Sequence, residues 1–383
     1  MDLNKVDLSK VSTPALVLDL NKVEANTARL HAHLASLNTP LRPHLKTCKS
    51  DKVADIMLSG QPGGATVSTL AEAEYFFSHG ITDLIYAIAI APGKLDNIVE
   101  LMERGADMKL LLDSLETAKI VAREGEARNC VFKVLVEVDT DGHRAGLKPD
   151  DDVLIEIGAL LTASKGTQLC GVLTHAGSSY GCQDTDAIAD MAEQERSRIV
   201  RAAENLRAAG LTCEMVSLGS TPTAHFGRSL DGVTEVRAGV FVFQDLFQVS
   251  LGVCGYDDMA LAVLAEIIGR DPETGRVFID AGALALSKDR STEKGHEDLG
   301  YGLVTPLGVA PSQGSAIVKQ VFQEHGVVSA RTENADMSQY KIGDRVLVWP
   351  NHACMTAAAH GFYHVMRGTE SVGIWERVNG WKL

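Results

Sequence analysis

The sequence predicts a mixed α/β chain: a parallel (β/α)8 TIM-type barrel over residues 19–249, then a β-rich domain over residues 250–383 that also takes in residues 1–18. Three observations predict it. Eight apolar or β-branched runs alternate with helical segments before about residue 245. Beyond residue 250 helical periodicity fades and strand-like runs take over. No Gly-x-Gly-x-x-Gly follows the first barrel run, which weighs against an open doubly wound sheet.

The elements follow in order. Residues 15–19 read as an early strand that can pair with the β-rich domain. Residues 19–37 place Leu20, Val23, Thr27, Leu30, Leu34 and Leu37 at helical spacing, so an extra helix precedes the barrel. The eight barrel strands are expected at 41–46, 65–68, 83–88, 108–112, 131–138, 169–174, 215–218 and 235–242. Thr69-Leu70-Ala71-Glu72 has the form of a capping box that opens a helix. Gly60, Gly80, Gly105, Gly125 and Gly210 stand where helices should stop. In the second domain, strands are expected at 260–268, 276–279, 316–318, 327–330, 345–349 and 372–375. No internal repeat or low-complexity tract interrupts the pattern.

Composition narrows the function. The net charge of −14 argues against a general nucleic-acid or anionic-membrane binder, because phosphate contact needs a basic footprint. No apolar run of about 18 residues exists, so no membrane span is expected. The start, Met1-Asp2-Leu3-Asn4-Lys5, lacks the pattern of a signal peptide. Seven scattered cysteines without a framework point to a reducing cytoplasm, with Cys48, Cys130, Cys170, Cys182, Cys213 and Cys254 as plain thiols. The remaining one, Cys354, belongs to a motif described below.

Unusual polar residues gather where barrel strands should end, the face that builds active sites in such barrels. Arg42-Pro43-His44-Leu45-Lys46-Thr47 closes the first strand. Arg42, His44 and Lys46 would share one strand face and repel unless an anion sat there. A lysine so crowded is suited to a Schiff base with a phosphate-bearing aldehyde; the plain alternative is a solvated edge strand. Asp139 to Arg144 follow strand five, and Thr174-His175-Ala176-Gly177-Ser178-Ser179-Tyr180 follow strand six. Arg144 reads as a loop salt bridge or as a bidentate partner for an anionic cofactor oxygen. His175 is structural or orients the neighbours of a cofactor ring; Tyr180 packs or hydrogen-bonds the cofactor. Gly219-Ser220-Thr221-Pro222-Thr223 follows strand seven and Arg237-Ala238-Gly239 ends strand eight, the two loops that commonly hold phosphate. The Gly-Ser-Thr turn would offer backbone N–H groups and two hydroxyls.

A second constellation, Pro350-Asn351-His352-Ala353-Cys354, follows the 345–349 strand. His352 and Cys354 would share one side of an extended segment, and imidazole with thiolate suits Zn²⁺. Two protein ligands leave coordination positions for water or substrate, which is a catalytic arrangement. Cys354 is also a candidate nucleophile, with no helix N-terminus evident to activate it. His325, in Gln323-Glu324-His325-Gly326, is a further candidate from the β-rich domain.

These motifs, taken in order, resemble the fold-type III pyridoxal-phosphate enzymes, which join an alanine-racemase-like barrel to a β-rich domain. Within them the chain is similar to the D-serine dehydratase and D-threo-3-hydroxyaspartate dehydratase branch, with D-threonine aldolases as relatives. The resemblance runs from Ser12-Thr13-Pro14-Ala15 through the Lys46 motif, Glu137-Val138-Asp139-Thr140-Asp141-Gly142-His143-Arg144, Gly219-Ser220-Thr221-Pro222-Thr223, Glu235-Val236-Arg237-Ala238-Gly239 and Asp280-Ala281-Gly282. It ends at the His352 and Cys354 motif. It implies that Lys46 is the Schiff-base lysine and that Arg144 meets the phenolic oxygen of pyridoxal 5'-phosphate. It further implies that Gly219, Ser220, Thr221 and Gly239 hold the phosphate and that Tyr180 lies beside the ring. His352 and Cys354 would bind Zn²⁺, or Mn²⁺, Co²⁺ or Mg²⁺. The aldolases carry His-x-Asp where this chain has His-Ala-Cys, which favours a dehydratase.

The expected activity is therefore loss of water from a D-3-hydroxy amino acid, D-threo-3-hydroxyaspartate or D-serine, to a 2-oxo acid and ammonia. Freed Lys46 would remove the Cα proton, and the metal would neutralise the departing hydroxyl. Alternatives are a D-threonine-type aldolase and a non-catalytic cofactor carrier; the long β-rich domain speaks against the carrier. The family leads us to expect a homodimer that takes a small-molecule substrate and binds neither nucleic acid nor membrane.

Overall fold

In the computed structural model, which describes residues 7–382, strand β1 (Ala15–Asp19) leads into helix α1 (Leu20–Ser36). The helical stripe read from the sequence is real: Leu20, Val23, Thr27, Leu30 and Leu34 are all buried. Helix α2 (Asp51–Leu58) follows, and then strands and helices alternate. The strands are β2 (Ala65–Val67), β3 (Asp83–Ala89), β4 (Asp107–Leu112), β5 (Phe132–Glu137), β6 (Thr167–Leu173), β7 (Met215–Leu218) and β8 (Glu235–Val236). The helices between and after them are α3 (Leu70–Ser78), α4 (Leu95–Glu103), α5 (Leu115–Arg128), α6 (Asp152–Ala163), α7 (Thr185–Ala208) and α8 (Thr221–Phe226). The described residues form two compact units, one holding 29–46, 54–239 and 381–382, the other 7–28, 47–53 and 240–380.

In the first unit, β2 to β8 pair in sequence order, every pair parallel. The eighth position is an irregular stretch rather than the strand expected at 41–46. Only Leu41 and His44 form bridges, to Val236 and Thr66, and residues 45–48 are a turn. Pro43 has no N–H to donate, so a continuous ladder cannot run through it. The stretch still closes the ring. Arg42 N–H bonds to Val236 O (2.8 Å) and His44 N–H to Ala238 O (2.8 Å) on one side; Leu45 N–H bonds to Thr66 O (2.8 Å) on the other. The expected strand at 235–242 also ends early, at Val236, and residues 240–242 turn as a 3-10 helix. Val240, Phe241, Val242 and Phe243 are all buried, and a short apolar run buried on every side does not announce strand or helix.

The starts of the strands carry a charge ladder. Arg42 joins Glu235 (2.6 Å) and Asp83 (2.9 Å); Lys109 joins Asp83 (2.6 Å) and Asp107 (3.0 Å); Lys133 joins Asp107 (2.8 Å). Arg42 is thus a structural cation at the end of the barrel where strands begin, and it does not share a site with Lys46. Side chains cap the helices: Thr69 accepts from Glu72 N–H, Ser114 from Thr117 N–H and Asp184 from Ala187 N–H. The capping box is altered, because the Glu72 carboxylate reaches Ser68 N–H (2.7 Å). Gly60, Gly80, Gly105 and Gly210 take positive φ beyond their helices as expected, but Gly125 lies inside α5, which ends at left-handed Asn129. A Cβ on Gly125 would stand 2.1 Å from Gly166 O, so this glycine permits close packing and stops nothing.

In the second unit helix α9 (Leu246–Ser250) precedes β9 (Leu261–Arg270) and β10 (Val277–Ile279). Then come α10 (Ala283–Leu286), β11 (Leu303–Pro306), β12 (Ala316–Val321), β13 (Gly326–Ala330) and β14 (Arg345–Trp349). The short helix α11 (Ala353–Ala357), β15 (Phe362–Arg367) and β16 (Glu370–Glu376) end it. Strands β9, β14, β11, β12, β13 and β10 close an antiparallel ring, since β10 pairs with β9 as well as β13. Strand β1 joins β9 antiparallel and β15 parallel, and β16 forms the edge. Strands β11 and β15 were not expected from the sequence. Leu246, Met259, Ala262, Leu299, Leu303, Ile317 and Trp349 form one core of this unit. No helix among the described residues is long and apolar enough to cross a membrane.

Candidate active site

The loops after the barrel strands carry most of the predicted site residues. Lys46 lies exposed in the turn after the irregular stretch. Its backbone N–H donates to His44 Nδ1 at 3.4 Å, and His44 Nε2 faces Ser68 Oγ at 3.4 Å. Burial holds the His44 imidazole well below its usual pKa, with Lys46, Arg237 and His175 adding to the effect. His175, just past β6, directs Nδ1 to Gly219 O at 2.9 Å. Desolvation, then the charge of Lys46, brings its pKa down to about 3. Both imidazoles are therefore neutral at pH 7, and the cations that act on them are Lys46, Arg144 and Arg237 rather than the expected Arg42. The rings of His175 and Tyr180 lie 6.2 Å apart. His143, Arg144, His175, Gly177, Ser178 and Tyr180 line a cavity of about 540 Å³.

The loops are fixed by short polar contacts. Asp139 accepts from Gly142 N–H (2.7 Å) and Asp141 from Ser178 N–H (2.7 Å), which ties the Arg144 loop to the Tyr180 loop. Arg237, fully enclosed, donates to Ser217 Oγ (2.9 Å) and to Thr174 O. Burial lowers its pKa to about 10 against the pull of Glu235, Glu195 and Glu137. Burial also pushes the Glu137 carboxyl up.

The turn after β7 departs from expectation in one respect. Gly219 N–H is taken by Glu195 Oε1 (3.1 Å) and Ser220 N–H by Thr223 Oγ1 (3.1 Å), so these two N–H groups are already spent. The free group is a hydroxyl: Thr221 Oγ1 is buried with no protein partner. Gly219 has φ 138°, and a Cβ there would lie 2.2 Å from Arg237 O. An orphaned hydroxyl in a turn that admits no side chain fits an anionic oxygen. Ser220 caps α8 and meets Ser179 Oγ at 2.8 Å; Gly239 follows Ala238 beyond β8, also buried.

In the second unit, His352 and Cys354 occupy the N-terminus of α11 rather than an extended segment, with His352 at the N-cap and Cys354 in the first turn. A helix N-terminus therefore does lie at Cys354. His352 Nδ1 faces Asp289 Oδ2 at 3.3 Å, and Cys354 Sγ faces Thr47 Oγ1 at 3.1 Å. Asp245 Oδ2 accepts Ala353 N–H at 2.9 Å, and Asn351 grips Asp289 O (3.0 Å) and Gly300 O (2.6 Å). Burial works to lower the His352 pKa, but the Cys354 sulfur and Asp289 together raise it to about 11. Burial works to raise that of Asp289, and His352 with Ser291 brings it down to about 2. A nitrogen and a sulfur donor held together beside carboxylates form a set that would take a divalent cation in place of the shared proton. Among the described residues no group of three or more His, Cys, Asp or Glu is placed to hold a metal ion. His325 stacks on Phe322 (5.0 Å) in the turn between β12 and β13.

Several participants escaped the sequence reading. Asp289 stands 63 positions from His352, and no pattern marks it. Glu195 sits mid-helix in α7 with no local sign of its contacts. Asp245 carries a weak sign, as the N-cap of α9.

A parallel ring with a lysine at its mouth, joined in one chain to an antiparallel β unit, defines an alanine-racemase-like enzyme. Residues 18–246 match the alanine racemase N-terminal domain family, and residues 260–366 match the serine dehydratase domain family. The chain is 44% identical to the D-threo-3-hydroxyaspartate dehydratase of Delftia sp. strain HT23, over 98% of this chain and 99% of that one. It is 28% identical to the D-serine dehydratase of Dictyostelium discoideum, over 97% and 98%. The solved structure of the Delftia dehydratase superposes with a TM-score of 0.94 at 44% identity, covering 98% of this chain and 100% of that one. Solved variants of that dehydratase include a histidine-to-alanine form and, two positions on, a cysteine-to-alanine form that is metal-free. The chain belongs to the D-serine dehydratase family of fold-type III pyridoxal-phosphate enzymes.

Proposed function

We propose that this chain is a pyridoxal-phosphate-dependent dehydratase that removes water from a D-3-hydroxy amino acid and releases a 2-oxo acid and ammonia. The observation that carries the reading is its 44% identity, end to end, with a D-threo-3-hydroxyaspartate dehydratase. D-threo-3-hydroxyaspartate and D-serine are the substrates it predicts.

The residues present fit the two groups this chemistry needs. Thr221 and Gly239 would hold the cofactor phosphate, in a turn that Gly219 and Ser220 shape; the orphaned Thr221 hydroxyl supports this. Arg144 would meet an anionic ring oxygen, with Tyr180 and His175 beside it. Lys46 would carry the cofactor. When bound, pyridoxal phosphate supplies an electron sink for charge developing at the substrate Cα. The Lys46 amine is the base that takes the Cα proton and holds it. Neutral His44 and His175 place no competing positive charge beside that amine. His352 and Cys354 would hold the divalent cation, Zn²⁺ in our reading, which when bound supplies positive charge to the departing hydroxyl. Asp289 engages His352 Nδ1 and would orient the ring for that role. On the same reading the working form is a homodimer in a reducing cytoplasm.

A product assay tests this. Purified protein is given a panel of D- and L-3-hydroxy amino acids with and without chelator, and 2-oxo acid, ammonia, glycine and aldehyde are measured. We expect 2-oxo acid and ammonia in equal amounts from D-substrates alone, suppressed by the chelator. Glycine with an aldehyde as the main products would make the chain an aldolase instead.

A further inference from the structure

Glu195 is the one carboxylate inside α7 with no exposed surface, and it is not a residue that touches cofactor or substrate in the reading above. Burying a carboxyl is costly unless it receives hydrogen bonds. Its Oε1 receives two: Ala176 N–H at 2.9 Å and Gly219 N–H at 3.1 Å. Ala176 belongs to the loop after β6, Gly219 to the loop after β7. The same two loops are joined again by His175 Nδ1 with Gly219 O (2.9 Å) and by Ser179 Oγ with Ser220 Oγ (2.8 Å). Gly219 is therefore gripped on both its N–H and its carbonyl, at a φ of 138° that lies outside the range most side chains allow. The Thr221 hydroxyl and the second Glu195 oxygen, Oε2, are left without hydrogen-bond partners.

We propose that Glu195 is a positioning residue for the cofactor phosphate: it locks the loops after β6 and β7 together so that Gly219-Ser220-Thr221 is preshaped before the anion arrives. The inference rests on the cofactor reading given above. A preshaped turn loses little order on binding, so the effect appears as affinity for the phosphate-bearing vitamer. Burial pushes the Glu195 carboxyl up, against the pull of Thr223, Ala176, Gly219 and the charge of Arg237.

The test compares two vitamers, pyridoxal phosphate and pyridoxal, which differ only in the phosphate. Dissociation constants are measured from the yellow band of the lysine-bound vitamer in the wild type, Glu195→Gln, Glu195→Asp and Glu195→Ala. Glutamine keeps the accepting oxygen; aspartate withdraws it by one carbon; alanine deletes it. We expect Glu195→Asp and Glu195→Ala to weaken pyridoxal phosphate binding by about tenfold or more while leaving pyridoxal affinity unchanged, and Glu195→Gln to restore wild-type affinity. If alanine prevents folding, the Asp and Gln pair decides alone. Equal losses for both vitamers, or unchanged pyridoxal phosphate affinity in Glu195→Asp, would overturn the proposal. A wild type that gives no yellow band with either vitamer would instead contradict the cofactor reading itself.

Discussion

Cys354 is the residue at which this chain's chemistry separates most sharply. Its sulfur stands within the N-terminal turn of α11, 3.1 Å from Thr47 Oγ1 and beside the imidazole of His352. Neither Thr47 nor His352 is a residue we assign to holding pyridoxal phosphate. Cys354→Ala is therefore expected to retain the cofactor absorption at wild-type intensity, to lose bound metal, and to lower dehydration by about a hundredfold or more. Metal content by mass spectrometry and the absorption spectrum, read on the same sample, check it; retained metal with full turnover would contradict the assignment. His352 and Cys354 were legible as a pair because they are two positions apart. Asp289 and Asp245, which hold the pair in place, were not. Their contacts to His352 and Ala353 span 63 and 108 positions, and no local period reports a contact of that reach.

Among the elements, those with strong local signals were read correctly. The stripe of α1, the Thr69 cap and the parallel strands β2 to β7 each follow from period or capping chemistry alone. The irregular stretch through Pro43 and the short β8 were misjudged. In both the ring supplies hydrogen bonds that the segment itself does not advertise. Strands β11 and β15 were missed; in β15 the four central residues Tyr363, His364, Val365 and Met366 are all buried, so no alternation marks it. Gly125 was misread for a related reason. Its function is the close approach of α5 to Gly166, which only the fold reveals. Gly125→Ala is thus expected to lower stability by about 2 kcal/mol or more, although alanine is the better helix former. Urea unfolding checks it; a stabilised variant would show that the helix and the Gly166 turn separate freely.

At the scale of the whole molecule, five buried or half-buried histidines bear on the response to acid. His31, His44, His175, His360 and His364 all have pKa values lowered from the ordinary 6.5, chiefly by burial. Unfolding would let each take a proton near that value, so below it the unfolded chain binds more protons than the folded one. Stability therefore falls as the pH drops through about 6 and continues to fall toward acid. Thermal melts should lose stability from about pH 6.5 down to about pH 5, with a smaller slope in His44→Gln. A flat profile would mean that these imidazoles are protonated within the folded protein. On our reading, one polypeptide of two units would carry both the cofactor lysine and the metal-ligand pair.

Reduction of the holoprotein with borohydride, followed by peptide mass analysis, tests the reading at its base. The account predicts a single pyridoxyl-phosphate adduct on the peptide containing Lys46, absent from Lys46→Ala. An adduct on another lysine, or none after the vitamer is supplied, would contradict it.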